Sequence, residues 1–250
     1  MDSRKDPTLA ALADQVRDAA ARKVALDIRG GGTKAFYGGE PRGEVLDVRP
    51  LQGISSYEPS ELVVTVRAGT PLATLEAALA EKGQWLPFEP PRFAEGSTVG
   101  GMVAAGLAGP GRMSAGGVRD YVLGATLLNG RAEELSFGGQ VMKNVAGYDV
   151  SRLMAGSLGV LGVICEVSLK VLPKPVATAT LRFELGQAEA LEQVNRWGGQ
   201  PLPLSASAWW DGMLVLRLAG AAAAVQSACD SLGGERIDDN LAATFWQGLR

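Results

Sequence analysis

Histidine is missing from all 250 residues of this sequence. Its absence excludes catalysis by a Ser-His-Asp or Cys-His set, a zinc or non-haem iron site with histidine ligands, and a cofactor attached covalently through histidine. Cysteine is nearly absent too, since Cys165 and Cys229 are the only two. Two cysteines form neither a disulfide framework nor an iron–sulfur site of four thiolates, and they are typical of a reducing cytoplasm. We therefore expect no metal site.

Long apolar runs and excess positive charge are also lacking. No apolar stretch approaches the roughly 20 residues that span a bilayer, and the charged segment 1–7 does not resemble a signal peptide. A net charge of −3 gives no electrostatic support for binding nucleic acid. The composition, 46% hydrophobic and 20% charged, is that of an ordinary globular protein. We expect a cytoplasmic protein without an integral membrane segment.

The order of the predicted elements indicates an α+β fold. Apolar residues at helical spacing follow Thr8, a candidate N-cap, and a short apolar strand at 24–28 runs into a run of glycines. Asn129-Gly130 separates two strand patterns and predicts a tight hairpin. Pro173 and Pro175 end a later strand, which predicts a domain over 1–175, with an internal break near 70–95, and a small α+β module over 176–250.

Glycine is enriched, with 33 residues, and it is clustered in turns. A phosphate is bound well where several backbone N–H groups converge, and glycine allows both the close approach and the positive-φ geometry. At 97–101, serine and threonine hydroxyls and the start of a short helix add further donors. One such turn is more often a plain loop, and none fits the P-loop or the Rossmann pattern. Three together favour a cofactor with a pyrophosphate, without saying which: 29–34, 97–101 and 156–162.

Five segments in order and at suitable distances resemble the FAD-binding domain of the vanillyl-alcohol oxidase family, also called the p-cresol methylhydroxylase type. They are 28–34, 97–101, 118–124, 143–149 and 156–164, so that the resemblance runs from about Leu9 to Pro175. Within the family, the likeness is greatest to the FAD-binding E subunits of bacterial glycolate oxidases. It is carried by 89–91, 101–110, 137–144, 201–205 and 245–247.

The resemblance implies FAD as the cofactor. Members with covalent flavin often have a histidine just after the first glycine turn, whereas Thr33 and Lys34 stand there, so we expect non-covalent FAD. The first turn would bind the pyrophosphate, the second would line its other side and approach the isoalloxazine, and Val163 and Ile164 would contact the adenosine. The cofactor-binding residues implied are Arg29, Gly30, Gly31, Gly32, Thr33, Lys34, Pro91, Ser97, Thr98, Val99, Gly100, Gly101, Ala104, Gly162, Val163 and Ile164.

The resemblance also implies partners: a separate catalytic flavoprotein subunit and an iron–sulfur subunit of a glycolate oxidase complex, which could hold the chain peripherally at the inner face of the membrane. Two departures keep alternatives open. Leu158 replaces the glutamate of the usual Gly-Ser-Glu-Gly turn, and the module at 176–250 is a short, partial cap without histidine. The chain could therefore be a self-sufficient FAD-dependent 2-hydroxy-acid dehydrogenase or a flavin-free assembly module.

No catalytic residue can be assigned from the sequence. Lys143 and Tyr148 flank turns and are the best candidates for groups near the flavin, although a solvated lysine and a core tyrosine explain them equally well. Cys165 could be imagined as a cysteinyl link, but a strand cysteine of this kind is far more often a core residue. Arg119-Asp120 is better explained as a structural pair than as a catalytic one. Trp209-Trp210 indicates a strand with an aromatic surface for a partner.

Overall fold

A computed structural model describes residues 6–139 and 148–250. The helices in these ranges are α1 (Pro7–Arg22), α2 (Leu72–Glu81), α3 (Val99–Ala105), α4 (Arg112–Ala115), α5 (Val150–Leu153), α6 (Gln187–Gly198), α7 (Ala222–Leu232) and α8 (Asp239–Gly248). The strands are β1 (Leu26–Arg29), β2 (Glu44–Asp47), β3 (Ile54–Glu58), β4 (Val63–Arg67), β5 (Gln84–Trp85), β6 (Val122–Leu128), β7 (Glu134–Gly138), β8 (Val163–Lys170), β9 (Leu172–Pro173), β10 (Ala177–Glu184), β11 (Leu204–Trp210), β12 (Met213–Gly220) and β13 (Glu235–Arg236).

The chain divides into two compact units. The first comprises residues up to 86, 90–107 and 117–172, and the second comprises 87–89, 108–116 and 173–250. The α+β expectation agrees with this mixture of helices and sheets. The domain limit at 175 and the internal break near 70–95 stay predictions.

The first unit is built on a five-stranded sheet of order β3-β4-β8-β6-β7, with all neighbours antiparallel. A separate ribbon pairs β1 with β2 in parallel, from Leu26 opposite Glu44 to Arg29 opposite Asp47. Helix α1 places Leu9, Leu12 and Val16 in a core shared with β2 and β8, as their helical spacing predicts. This core fixes β1, whose last residue leads into the first glycine turn.

The second unit is a four-stranded sheet of order β11-β12-β10-β13. One apolar cluster includes Leu181 and Leu216 with Val225 of α7, and another places Ala206 and Val215 against Trp246 of α8. Arg217 on β12 forms a bidentate ion pair with the buried Glu89, at 2.8 and 2.9 Å, and its own side chain is only 11% exposed. Because a buried charge is tolerated only when it is paired, this contact ties 87–89 to the sheet of its own unit.

Three local expectations need correction. The N-cap of α1 is Asp6, whose carboxylate accepts from the amides of Thr8 and Leu9 at 2.9 and 3.3 Å. The two-residue Asn-Gly hairpin is wrong, because Leu128 pairs with Glu134 across a longer loop. The Asn129 side chain closes that loop by accepting from the amides of Arg131 and Glu133. Strand β3 and helix α8 have no counterpart among the elements expected from the sequence.

Candidate functional site

A cavity of about 370 Å³ lies in the first unit, where β1 ends. Small residues and backbone form most of its wall, so a flat or extended molecule can approach the main chain closely. The wall comes from Val48 and four stretches of chain: 26–35, 37–42, residues 98, 100, 101, 104 and 105, and residues 158–160, 162 and 164. The three predicted glycine turns therefore meet around one cavity.

The first glycine turn supplies unused hydrogen-bond donors. No group in the described part of the chain accepts a hydrogen bond from the backbone amides of Gly30–Lys34. The turn is closed by its carbonyls instead, because Gly32 and Lys34 accept from the amides of Ala35 and Tyr37 at 3.3 and 3.0 Å. Gly32 has a φ of +67°, in the left-handed region that glycine favours. Consecutive free amides in such a turn form an anion-binding concavity; we call Gly30–Lys34 the donor turn.

Close packing explains why the donor turn begins with glycine. A Cβ on Gly31 would lie 1.8 Å from the carbonyl oxygen of Gly96, and one on Gly30 would lie 2.4 Å from the Thr98 hydroxyl. Both distances are far below van der Waals contact. The donor turn is thus seated directly on the segment 96–98.

The second glycine turn uses its amides within the fold. The amides of Val99 and Gly100 donate to the carbonyls of Thr70 and Ala68 at 2.9 and 2.7 Å, and the amide of Gly101 donates to the Thr98 hydroxyl at 3.2 Å. These three amides are therefore not available to a ligand, contrary to the expectation from the start of a helix. The cavity is instead lined here by small residues, which a ligand can approach closely: Thr98, Gly100, Gly101 and Ala104.

Two cations that line the cavity, the half-buried Lys34 and the exposed Arg42, have no carboxylate partner among the described residues. In the ranges 6–139 and 148–250 no Asp or Glu forms an ion pair with Lys34, which is half-buried and lines the cavity. Burial lowers the pKa of the Lys34 ammonium, because its charged form loses hydration. Its Nζ lies 6.0 Å from the centre of the Phe93 ring, which in turn packs edge-on against the exposed Phe36. An anion bound at the donor turn would restore the lost stabilisation of Lys34.

Most of the implied cofactor-binding residues line the cavity, and the others do not. Those that line the cavity are Arg29, Gly30, Gly31, Gly32, Thr33, Lys34, Thr98, Gly100, Gly101, Ala104, Gly162 and Ile164. Pro91, Val99 and Val163 are buried away from its wall, and Ser97 is buried with its hydroxyl 2.9 Å from that of Thr33. Arg29 pairs with Asp27.

Sequence reasoning missed the loop 37–42 as part of the wall, and within the predicted turn 156–162 it named only Gly162 as a cofactor-binding residue, although Leu158–Val160 line the cavity too. The glycine pair Gly38-Gly39, with φ of +96° at both positions, was the available signal for the loop.

The remaining candidates lie elsewhere. Cys165 is buried in the core beneath α1, and burial raises the pKa of its thiol to about 12, so that it is neutral and is a core residue. Tyr148 is 96% exposed and does not line the cavity. Asp120 accepts a hydrogen bond from the amide of Gly117 at 2.8 Å, a local structural role. Lys143 lies outside the described residues.

The described residues include neither a metal-binding cluster nor a membrane-spanning helix. No group of three or more Cys, Asp or Glu side chains in these ranges is placed to hold a metal ion. None of the helices in them has both the length and the apolar character needed to cross a bilayer.

Comparisons with known proteins point in one direction. The family model described as FAD binding domain matches residues 8–138. Glycolate oxidase subunit GlcE of Escherichia coli (strain K12) is 51% identical over 240 residues, which is 96% of this chain and 67% of that protein. Glycolate oxidase subunit GlcD of Bacillus subtilis (strain 168) is 33% identical over 161 residues, covering 64% of this chain and 34% of that protein.

A solved structure of an alkyldihydroxyacetonephosphate synthase matches with a TM-score of 0.71 at 18% identity, over 96% of this chain and 56% of that one. At this identity the likeness concerns the fold alone. The chain thus spans about two thirds of the first relative, a third of the second and little more than half of the synthase.

Proposed function

Since this chain belongs to the FAD binding domain family, we propose that it binds FAD non-covalently as one subunit of an oxidase complex for glycolate or a closely related 2-hydroxy acid. The observation that carries the proposal is the donor turn at the mouth of the cavity. Its free amides, the lack of room for a Cβ at Gly30 and Gly31, and the neighbouring Lys34 match what a pyrophosphate requires.

Family membership confirms two predictions made from the sequence: a p-cresol methylhydroxylase-type α+β fold, and FAD as the cofactor. The relationship to a glycolate oxidase subunit confirms the expected class, an oxidoreductase subunit. The assignment of particular residues to particular parts of FAD stays a proposal.

The residues around the cavity suit different parts of the cofactor. The donor turn would hold the pyrophosphate through charge-assisted hydrogen bonds, which are about twice as strong as neutral ones, and Lys34 would add its positive charge. Thr98, Gly101 and Ala104 would let the flat ring system approach the main chain. When bound, FAD supplies a ring that accepts electrons from an organic substrate.

The proposed partners follow from what the chain has available. Two cysteines cannot provide the four thiolates of an iron–sulfur cluster, and without histidine only Lys, Tyr, Asp or Glu remain as general bases. We therefore assign substrate oxidation to a separate flavoprotein subunit and the onward transfer of electrons to an iron–sulfur subunit. The proposed location is the cytoplasm, with any membrane contact made through the complex.

The test is an absorbance spectrum of the purified chain, before and after incubation with FAD. Flavin bands are expected, and after denaturation the flavin should separate from the protein on filtration, because the cofactor is held without a covalent bond. A colourless protein that takes up no FAD, yet associates stably with the catalytic subunit, would select the flavin-free assembly module instead. Turnover of glycolate or D-lactate by the isolated chain with an artificial dye would select the self-sufficient dehydrogenase.

Replacement of Lys34 tests the pyrophosphate assignment. Lys34→Met is expected to weaken FAD binding about 10- to 100-fold, since a hydrogen bond to a charged group contributes roughly 1.5–3 kcal/mol. ADP should compete with FAD for the wild-type protein, whereas riboflavin should not. Lys174→Met, which changes an exposed lysine outside the cavity, is the matched control. Equal affinity of the two variants for FAD would refute the assignment.

A further inference from the structure

We propose that Thr33 and Ser97 are positioning residues, whose hydroxyl–hydroxyl bond holds the donor turn in the shape that binds an anion. The inference concerns the architecture of the turn, and it rests on the proposed function only for the identity of the ligand. Thr33 lines the cavity, whereas Ser97 is buried behind it. The two oxygens are 2.9 Å apart.

The donor turn has little other support. It follows β1, which pairs with β2 over four residues and packs on the core beneath α1 through Leu26 and Ile28, so this support ends before Gly30. Gly30 and Gly31 lie close against the segment 96–98. Steric contact keeps the donor turn from moving closer to that segment, but it does not hold the two together. Among hydrogen bonds of the described residues, the Thr33–Ser97 bond is the one that joins 30–34 to 96–98.

The segment that carries Ser97 is firmly held. Its carbonyl accepts from the amide of Leu72, at the start of α2, at 2.8 Å. The next residues are fixed by the bonds from Val99 and Gly100 to the carbonyls of Thr70 and Ala68. The Thr33–Ser97 bond therefore connects a weakly supported turn to a rigid one.

The direction of the bond follows from the second contact of Ser97. Its hydroxyl lies 3.4 Å from the carbonyl oxygen of Ala94, which can only accept. When Ser97 donates its one proton to Ala94, its oxygen accepts from Thr33. A threonine or a serine at position 33 can make this bond, and valine, which has nearly the same shape, cannot.

The Thr33–Ser97 bond should strengthen anion binding because it holds the donor turn in its binding shape before the anion arrives. Free amides bind an anion well when they already converge, because otherwise ordering the turn reduces the affinity. Loss of one neutral hydrogen bond should weaken FAD binding about 3- to 10-fold. The hydrogen-bonded amides of Ala35 and Tyr37, which close the turn, should exchange with solvent faster by a similar factor.

The experiment compares the full chain with Thr33→Val, Thr33→Ser, Ser97→Ala and the Thr33→Val/Ser97→Ala double variant. The dissociation constant for FAD is measured by quenching of flavin fluorescence, and exchange at Ala35 and Tyr37 is measured without FAD. Thr126→Val is the matched control, since it removes the Thr126–Ser136 hydroxyl pair of the same unit, at 3.2 Å and away from the cavity.

Thr33→Val and Ser97→Ala should each weaken binding and speed exchange, the double variant should do no more than either, and Thr33→Ser and Thr126→Val should behave as wild type. Additive effects, or a Thr33→Ser variant as impaired as Thr33→Val, would overturn the proposal. If the wild-type chain bound no FAD, the proposed function would fail, while the exchange rates would still decide the role of the Thr33–Ser97 bond.

Discussion

Gly31→Ala should damage FAD binding more than any other single methyl group added to the donor turn. The new Cβ would lie 1.8 Å from the carbonyl oxygen of Gly96. Because that oxygen belongs to the main chain, relief requires the two turns to separate by more than about 1 Å, and overpacking of this kind costs roughly 1–3 kcal/mol. If this free-energy cost destabilises the conformation of the turn that binds FAD, the dissociation constant for FAD rises about 5- to 150-fold.

Gly30→Ala is a milder change to compare with Gly31→Ala, since its Cβ would meet the hydroxyl of the Thr98 side chain at 2.4 Å. A side chain can rotate where a carbonyl cannot, so the loss of affinity should be smaller. Gly198→Ala is the control, because nothing lies within 4 Å of its Cβ position at the last residue of helix α6. Titration with FAD and thermal melting of each variant give the two quantities needed. A Gly31→Ala chain that bound FAD like wild type would refute the seating of the donor turn on 96–98.

Two further predictions concern stability. Burial raises the pKa of Cys165 from 9.0 to about 12, so the unfolded chain loses its thiol proton first and stability falls as the pH rises from 9 towards 12, by up to about 1.4 kcal/mol per pH unit. Cys165→Ala should flatten this alkaline fall in urea denaturation, and an unchanged slope would contradict the buried neutral thiol. Arg217→Met leaves the Glu89 carboxylate buried without its cation and should lower the free energy of unfolding by about 3–5 kcal/mol. The Glu89→Gln/Arg217→Met double variant should lose clearly less, and equal losses would mean that the ion pair is not the cause.

Local patterns predicted most helices and strands because the periodicity of apolar residues reflects burial. Leu9, Leu12 and Val16 are buried on α1 as their spacing requires. Asp6 was missed as the N-cap although Pro7 at the first helical position pointed to it. Strand β3 was missed because its residues Ser55 and Ser56 give no apolar alternation. Its strand conformation comes from pairing with β4, which is a contact beyond local sequence.

The sequence predicted the site only to the extent that runs of glycine indicate a close approach of the main chain. A run such as Gly30-Gly31-Gly32 indicates that the main chain must approach something closely, and the three turns do line one cavity. Which turn has free amides could not be predicted, because the answer depends on the carbonyls of Ala68 and Thr70. Those acceptors lie about 30 residues before Gly100, and the sequence does not show that they meet it.

Leu158 stands where the family usually has glutamate, and its place in the structure decides what that difference means for FAD binding. Leu158 lines the cavity, and its Cδ1 would be 2.8 Å from a Cβ on Gly38, so its packing concerns the loop 37–42. The donor turn and Lys34 do not depend on it, since the amides of Gly30–Lys34 are positioned by β1 and by the segment 96–98. Loss of a carboxylate also removes a negative charge from the wall of a site proposed to hold a pyrophosphate. The Leu158 departure is therefore not an argument for a flavin-free module, and retention of FAD has to be decided at the donor turn.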